Sequence, residues 1–161
     1  IKINFSSNQF LLESFMAETT HAKINFFSRL VEGEYPDYNE IVPKNFKFKA
    51  VANKADFSQS LKAVSFFANK INEVKIKIDP GSQTIEFLGQ NPEIGQSRSN
   101  FSAKIEGEAA EVSFNWRFLS EGLNQIKEKD IVFSLSRDDG PATLKPLSRD
   151  DYLYLLMPLR L

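Results

Sequence analysis

The residues that could perform catalysis are few and poorly placed for it. His21 is the only histidine, and a Ser-His-Asp triad would have to use it. It lies among polar residues, which is more typical of an exposed surface histidine than of a catalytic base. The seven glycines are scattered and form no phosphate-binding loop. The sequence therefore gives no recognisable nucleophile, base and phosphate-loop arrangement.

Two pairs of adjacent carboxylates, Asp138-Asp139 and Asp150-Asp151, could bind a divalent metal or act as acid and base. Both pairs stand beside Gly, Pro or Ser in predicted turns, where aspartate is favoured because it hydrogen-bonds nearby backbone. Adjacent side chains of an extended chain point in opposite directions, so neither pair converges on one atom. We therefore predict no enzymatic activity, metal or cofactor. A metal-dependent hydrolase that uses Asp150 and Asp151 is the alternative.

The charge balance limits how the chain could bind DNA. Its 20 Lys and Arg residues nearly cancel its 21 Asp and Glu residues, whereas proteins that grip DNA directly normally carry a basic excess. Any DNA role must depend on local charge or on topology. The chain has no Cys, which excludes disulfides and thiolate chemistry. No signal segment or membrane-length apolar run is present, so we expect a soluble, cytoplasmic protein without membrane partners.

The first part of the chain is predicted to be separate from the rest. Apolar residues alternate with polar ones at 1–5, so the chain opens inside a strand pattern, and further short alternating runs follow at 10–15 and 21–27. A stretch at 32–43 that contains Gly and Pro then interrupts periodic structure. We place the domain boundary near residue 43.

The remainder indicates two copies of a β-α-β-β-β unit. In each copy an asparagine, Asn53 or Asn115, can cap a helix that follows a strand. The apolar residues of the first helix are Phe57, Leu61, Val64 and Ala68, and those of the second are Leu119, Leu123 and Ile126. The first three of the first helix align with the three of the second at one constant offset. Three strands are predicted after each helix, at 74–78, 84–88 and 99–105, and at 130–136, 142–145 and 152–159.

These elements predict an α+β fold in which two helices pack on one face of antiparallel sheets. The last predicted strand, 152–159, is apolar on both faces. We therefore expect it in the centre of its sheet.

The C-terminal residues resemble those of the bacterial DNA polymerase III beta subunit, the β sliding clamp. In that family the chain ends in two aliphatic residues and Met-Pro-aliphatic-Arg-Leu, as 155–161 do here. Residues 28–38 resemble the link between the second and third clamp domains, and 107–123 resemble the second half of the third domain. Asn91-Pro92-Glu93 is a weaker match. The segments follow family order, so the resemblance extends over the whole chain.

The resemblance implies the DNA clamp fold, with the C-terminal remnant of the second domain at 1–42 and the third domain at 43–161. The family's chains have three domains and form a head-to-tail homodimeric ring, for which 161 residues are too few. Such a ring encircles double-stranded DNA without reading its sequence. The implied partners are the polymerase III alpha subunit, clamp-loader subunits and other replication and repair proteins with a clamp-binding motif. An unrelated β-rich domain whose tail mimics the clamp is an alternative.

The resemblance also implies a hydrophobic pocket for partner peptides. A flexible Met beside aliphatic groups suits several ligands, and an Arg could hold a carboxylate or carbonyl. The pocket residues are Pro36, Ile41, Asn115, Phe118, Pro141, Leu155, Met157, Pro158, Leu159 and Arg160. Ordinary core packing is the alternative for Leu155 and Met157.

Two further surfaces follow from the resemblance and the helical patterns. Cations opposite the apolar stripes are candidates for DNA phosphate contact, with a solvated face as the alternative: Lys62 and Lys70 on the first helix and Arg117 on the second. Adjacent Phe66 and Phe67 cannot both face one core, so we assign them to the ring interface. Two features depart from the family: Ala63 stands where many clamps carry arginine, and 96–98 lack the usual acidic run.

Overall fold

The computed structural model describes residues 1–15 and 22–160, so His21 lies outside the described part. The chain divides into two compact units, Ile1–Asp37 and Tyr38–Leu161. The first unit is an antiparallel sheet of β1 (Lys2–Phe5), β2 (Gln9–Phe15) and β3 (Ala22–Arg29), in the order β1-β2-β3.

The second unit contains the two predicted half-repeats. It begins with the short helix α1 (Tyr38–Ile41). The first half consists of β4 (Phe48–Asn53), α2 (Lys54–Ser65), β5 (Glu73–Asp79), β6 (Thr84–Asn91), β7 (Gly95–Ser102) and β8 (Lys104–Gly107). The second half consists of β9 (Ala110–Asn115), α3 (Trp116–Gln125), β10 (Asp130–Leu135), β11 (Ala142–Pro146) and β12 (Tyr154–Leu156).

Both predicted helix caps are confirmed. The Asn53 side chain accepts a hydrogen bond from the backbone N–H of Ala55 at 2.8 Å, and Asn115 accepts one from Arg117 at 3.0 Å. These bonds satisfy amides that the first helical turn leaves without partners. The first helix is shorter than its apolar pattern indicated: α2 ends at Ser65, so Ala68 lies beyond it.

Each half contributes strands to both sheets. Sheet I has the order β7-β6-β5-β9, and sheet II has the order β12-β11-β10-β4-β8. The predicted strand 99–105 is in fact two strands, because the chain leaves sheet I at the buried Ala103 and joins sheet II as β8. The first residue of each helix also donates a backbone hydrogen bond to the segment that follows the other helix. The Lys54 amide donates to the Lys129 carbonyl at 2.8 Å, and the Trp116 amide donates to the Asn72 carbonyl at 2.9 Å.

The expectation that the last strand lies centrally is wrong, because β12 is a three-residue strand at the edge of sheet II. Its apolar residues serve two different surfaces. Leu156 is buried in the core, whereas Leu155 points to the opposite, outer face of the sheet. Pro158 lacks a backbone N–H, which is consistent with the early end of pairing with β11.

A cluster of phenylalanines joins the two halves. Phe133 of β10 lies edge-on to Phe48 of β4 and Phe57 of α2, with ring centroids 5.6 Å away in both cases, and 6.1 Å from Phe114 of β9. All four side chains are fully buried. Such pairs add about 0.5–1.5 kcal/mol each beyond the burial of their area. Phe133 therefore connects both sheets and a helix through one ring.

Two tyrosines hold the last strand against α3. The Tyr152 hydroxyl donates to the Gly122 carbonyl at 3.1 Å. A side chain at Gly122 would lie 2.5 Å from the Tyr154 ring, so only glycine allows this approach. Burial raises the pKa of both tyrosine hydroxyls, with a smaller contribution from Tyr154 for Tyr152 and from Glu121 for Tyr154.

We predict that Phe133→Ala lowers the free energy of unfolding by about 3–5 kcal/mol, because it leaves a cavity among three rings. Urea unfolding followed by circular dichroism measures the loss. The matched control is Phe66→Ala, which truncates a phenylalanine that is 69% exposed and should change stability little. A loss at Phe133 no larger than that at Phe66 would contradict the proposed role of the ring cluster.

We also predict a decline in stability at alkaline pH that depends on the two tyrosines. Their folded-state pKa lies above the ordinary value of about 10, so the unfolded chain releases these protons first. Their contribution is therefore intact below pH 10 and is lost as the pH rises through the folded-state pKa. In urea titrations between pH 8 and 11, the double variant Tyr152→Phe/Tyr154→Phe should decline less steeply with pH. Equal slopes in the two proteins would argue against this linkage.

Candidate functional site

The C-terminal segment crosses from one sheet to the other. Leu156 pairs with Ala142 in sheet II, and three residues later the Leu159 amide donates to the Ser113 carbonyl of β9, the edge strand of sheet I, at 2.8 Å. The backbone is thus held at both ends of Met157-Pro158. An anchored backbone fixes the side chains that it carries.

Half of the ten predicted pocket residues belong to this C-terminal segment. We call the side chains of Leu155, Met157, Pro158, Leu159 and Arg160 the tail surface. Met157 is 50% exposed and Arg160 is exposed, while the other three are half-buried. The alternative for Leu155 and Met157 is ordinary core packing. The exposure of Met157 excludes it for that residue, and the half-buried Leu155 packs into the core only in part.

The remaining predicted pocket residues lie in several elements. Asn115 follows Ser113 by two residues on β9, and Phe118 is 51% exposed in the first turn of α3. Pro141 directly precedes Ala142, the register partner of Leu156. Pro36 belongs to the first unit and Ile41 ends α1, and both are exposed. The structure therefore places Asn115 on the strand that bonds to Leu159 and Pro141 beside the strand that pairs with Leu156. The peptide-binding role of every predicted pocket residue stays a prediction.

A polar network that the sequence did not reveal supports the strand that receives the tail. The Ser113 hydroxyl donates to one carboxylate oxygen of Glu73 at 2.7 Å, and the Asn69 amide donates to the other at 2.8 Å. Ser113 is buried, so these bonds are shielded from water. Residues 40 positions apart carry no local signal of this contact.

The helices present a second candidate surface. A depression of about 330 Å³ between α2 and α3 is lined by Lys62, Trp116, Ser120 and Asn124 among others. The Arg117 guanidinium lies 5.5 Å from the centre of the Trp116 ring, and its Nε donates to the Asn72 side chain at 3.3 Å. Trp116 was not predicted as a site residue, because a single aromatic residue in a helix usually packs into the core.

Lys62, Lys70 and Arg117 are all exposed, as expected of side chains that face solvent or phosphate. One placement is corrected: Lys70 lies in the loop after α2, which ends at Ser65, and not on the helix. The helical pattern had extended this element by a turn because Ala68 continued the apolar spacing.

A third surface surrounds the free edge of sheet I. Phe66 is 69% exposed and its neighbour Phe67 is half-buried, so the two rings do face different environments. The exposed Ile94 directly precedes β7, which is an edge strand of sheet I and pairs only with β6 among the described strands. The exposed Ile71 lines a nearby depression with Pro92.

The adjacent carboxylate pairs bind separate cations of the chain itself. Asp138 pairs with Lys47 at 2.6 Å and Asp150 with Lys145 at 2.8 Å. Their neighbours, Asp139 and Asp151, pair with Arg137 and Arg149. The Asp151 pKa is lowered, mainly by its hydrogen bond with Arg149. Across residues 1–15 and 22–160 no three His, Asp or Glu side chains gather in a metal-binding arrangement, and no helix there has the length and apolarity to cross a membrane.

Comparison with known proteins gives consistent matches. The family model described as the DNA polymerase III beta subunit, C-terminal domain, matches residues 39–160. The beta sliding clamp of Staphylococcus epidermidis is 31% identical over 161 residues, and that of Staphylococcus aureus 29%; each match covers 99% of this chain and 41% of the relative. The chain thus spans about two fifths of the length of these relatives.

Solved structures agree. A crystal structure of the Bacillus subtilis DNA polymerase sliding clamp matches with a TM-score of 0.82 and 28% identity, covering 99% of this chain and 40% of that one. A Bartonella birtlesii sliding clamp bound to griselimycin matches with a TM-score of 0.83 and 28% identity, covering 99% and 41%. Matches over nearly the whole chain exclude an unrelated β-rich domain with a mimicking tail. The chain belongs to the bacterial DNA polymerase III beta subunit family, and residues 39–160 correspond to that subunit's C-terminal domain.

Proposed function

We propose that this chain is part of a DNA sliding clamp, a non-catalytic processivity factor that encircles duplex DNA in the cytoplasm and tethers replication proteins through the tail surface. Residues 43–161 act as the third clamp domain and 1–42 as the end of the second. The observation that carries this proposal is the half-exposed Met157 on a backbone pinned at Leu156 and Leu159.

The chemistry of the tail surface suits short apolar peptides. Met157 is flexible and polarisable, so it can adjust to different aliphatic and aromatic ligands. The exposed Phe118 provides an aromatic face near the start of α3, and Arg160 can donate to a ligand carbonyl or carboxylate. In our proposal the surface receives the clamp-binding motifs of the polymerase III alpha subunit, of clamp-loader subunits and of other partners.

The proposed DNA contacts fit the nearly neutral charge of the chain. A closed ring retains DNA by topology and needs few cations. Lys62 lines the depression between α2 and α3, Arg117 lies against Trp116 of the same lining, and Lys70 follows α2. Lys62 and Lys70 have no carboxylate partner among the described residues, which leaves them available to phosphate.

The proposed ring closure uses the free edge of sheet I. An open strand edge can pair with a strand of another chain, and the exposed Phe66 and Ile94 supply apolar contacts beside it. We propose that β7 meets the first domain of a second copy in a head-to-tail ring. Arg98 on β7 pairs with Glu86 at 3.8 Å, so the electrostatics there differ from an acidic run.

We predict that Met157→Ala weakens binding of a fluorescein-labelled peptide, Gly-Ser-Leu-Leu-Phe, by about tenfold in fluorescence anisotropy, which corresponds to about 1.4 kcal/mol. The loss arises because the variant removes the adaptable apolar contact. The conservative Met157→Leu should retain most of the affinity.

The matched control for this experiment is Ile94→Ala, which truncates another exposed aliphatic side chain at the far edge of sheet I. It should leave peptide affinity unchanged. Absence of peptide binding, or equal affinity in the Met157→Ala variant and the wild type, would remove the tail surface as the partner site.

We further predict that reversing the candidate DNA-facing charges weakens DNA binding by the full-length protein that contains this chain. The variant is Lys62→Glu/Lys70→Glu/Arg117→Glu. Each phosphate contact that it removes should lower the slope of log affinity against log salt by about 0.9. Filter binding to nicked circular duplex DNA measures the slope. The salt concentration is varied over roughly a tenfold range, up to about 200 mM.

A charge-matched variant, Lys77→Glu/Lys104→Glu/Arg137→Glu, reverses three exposed cations that lie on strands or in a strand loop and not on the helices. It should leave the salt dependence of DNA binding close to that of the wild type. If both triple variants change the slope equally, the effect is due to net charge and the assignment of the helix face is wrong.

A further inference from the structure

A groove of about 480 Å³ runs across the outer face of sheet II. Its floor consists of Val51, Val132, Ser134 and Thr143 from three neighbouring strands, and Phe46 and Tyr152 are among its walls. Its volume falls within the range of about 300–1,000 Å³ that is usual for ligand pockets. All its lining residues belong to the second unit.

The strand register connects this outer groove to the tail surface. One row of side chains crosses the outer face of sheet II, because Glu106 pairs with Lys49, Lys49 with Ser134, Ser134 with Thr143, and Thr143 with Leu155. Leu155 is a tail-surface residue at one end of the row. A ligand that extends beyond the tail surface along this row therefore enters the groove.

The floor offers polar groups that the fold itself does not use. Ser134 and Thr143 are each only 3% exposed, and no hydrogen bond between described residues involves either hydroxyl. Neither oxygen is sealed from water, so both are open to the groove that they line. Each hydroxyl is therefore available to donate a hydrogen bond to, or accept one from, a ligand that enters the groove.

The charges around the groove favour an anion. Lys145 pairs with Asp150 at 2.8 Å and Lys104 with Glu106 at 3.6 Å. Lys49, the third lysine of the lining, has no carboxylate partner in the described part of the chain and lies 5.0 Å from the centre of the Phe46 ring. One cation in the groove thus remains available for a carboxylate of the ligand.

We propose that the outer groove is a second subsite for partner proteins, which receives an extended peptide segment with a bulky apolar side chain next to a carboxylate. The apolar side chain lies on Val51 and Val132 between the walls, the carboxylate pairs with Lys49, and the peptide backbone hydrogen-bonds to Ser134 and Thr143. This inference rests on the proposed function only for its partner class, the proteins that bind the tail surface.

The test uses the whole chain and three labelled peptides in fluorescence anisotropy: Gly-Ser-Leu-Leu-Phe, and the same peptide extended by Gly-Trp-Asp at its amino or at its carboxyl end. We expect one extension to raise affinity by about fivefold. Lys49→Glu, at an exposed position, and Thr143→Val, an isosteric change, should abolish this gain without affecting the unextended peptide.

The controls separate this inference from the proposed function. Met157→Ala should weaken all three peptides, and Lys77→Glu, at an exposed lysine of sheet I, should weaken none. No gain from either extension, or a gain that persists in Lys49→Glu, overturns the second subsite while leaving the tail surface intact.

If the unextended peptide does not bind, the proposed function fails and the groove is tested alone. In that case acetyl-Gly-Trp-Asp-amide is titrated into isotopically labelled chain and followed by NMR. Shifts of the Ser134 and Thr143 amides that vanish in Lys49→Glu support the groove as a ligand site. Their absence overturns it. Equal shifts with free indole acetate would assign the groove to a small aromatic acid instead of a peptide, and so would also overturn the proposal.

Discussion

The structure depends on one shared core that neither half-repeat can complete alone. Phe133, from the second half, contacts Phe48 and Phe57 of the first half and Phe114 of its own. Because interiors are packed as densely as organic crystals, this ring fixes the spacing of α2 and both sheets. The helix α2, which carries the candidate DNA-facing Lys62, and the two sheets that hold the tail surface are therefore positioned by the same contacts, and a change at the centre of the core would reach both proposed surfaces.

The proposed partner-binding surface lies where regular structure stops. The short β12 and the crossing that follows it combine an anchored backbone with side chains that no second layer covers, and Met157 lies at that point. Rigid backbone with flexible side chains reduces the ordering cost of binding while preserving adaptability. The row from Leu155 to Lys49 extends this surface over sheet II. The 20 basic and 21 acidic residues nearly cancel, which suits the proposed retention of DNA by enclosure.

Local features were predictable from the sequence, and long-range ones were not. The caps Asn53 and Asn115 were found because a cap and its amides are two or three residues apart. The two half-repeats and the C-terminal residues that resemble the clamp family were also predictable from the sequence. The edge position of β12 was missed, since a strand with two apolar faces is usually central, and here the second face carries Leu155 of the proposed binding surface. The Glu73–Ser113 contact and the groove floor arise from strand pairing between distant segments, which leaves no local pattern.

The exchange of strands between sheets has a consequence for how the chain acquires its structure. The edge of sheet I at Ser113 receives its last main-chain bond from Leu159, and β8 closes sheet II only after the chain has left sheet I at Ala103. Contacts between such distant segments slow folding. During synthesis on the ribosome, the Ser113 carbonyl at the outer edge of β9 would therefore stay without its main-chain partner until the segment that carries Leu159 emerges.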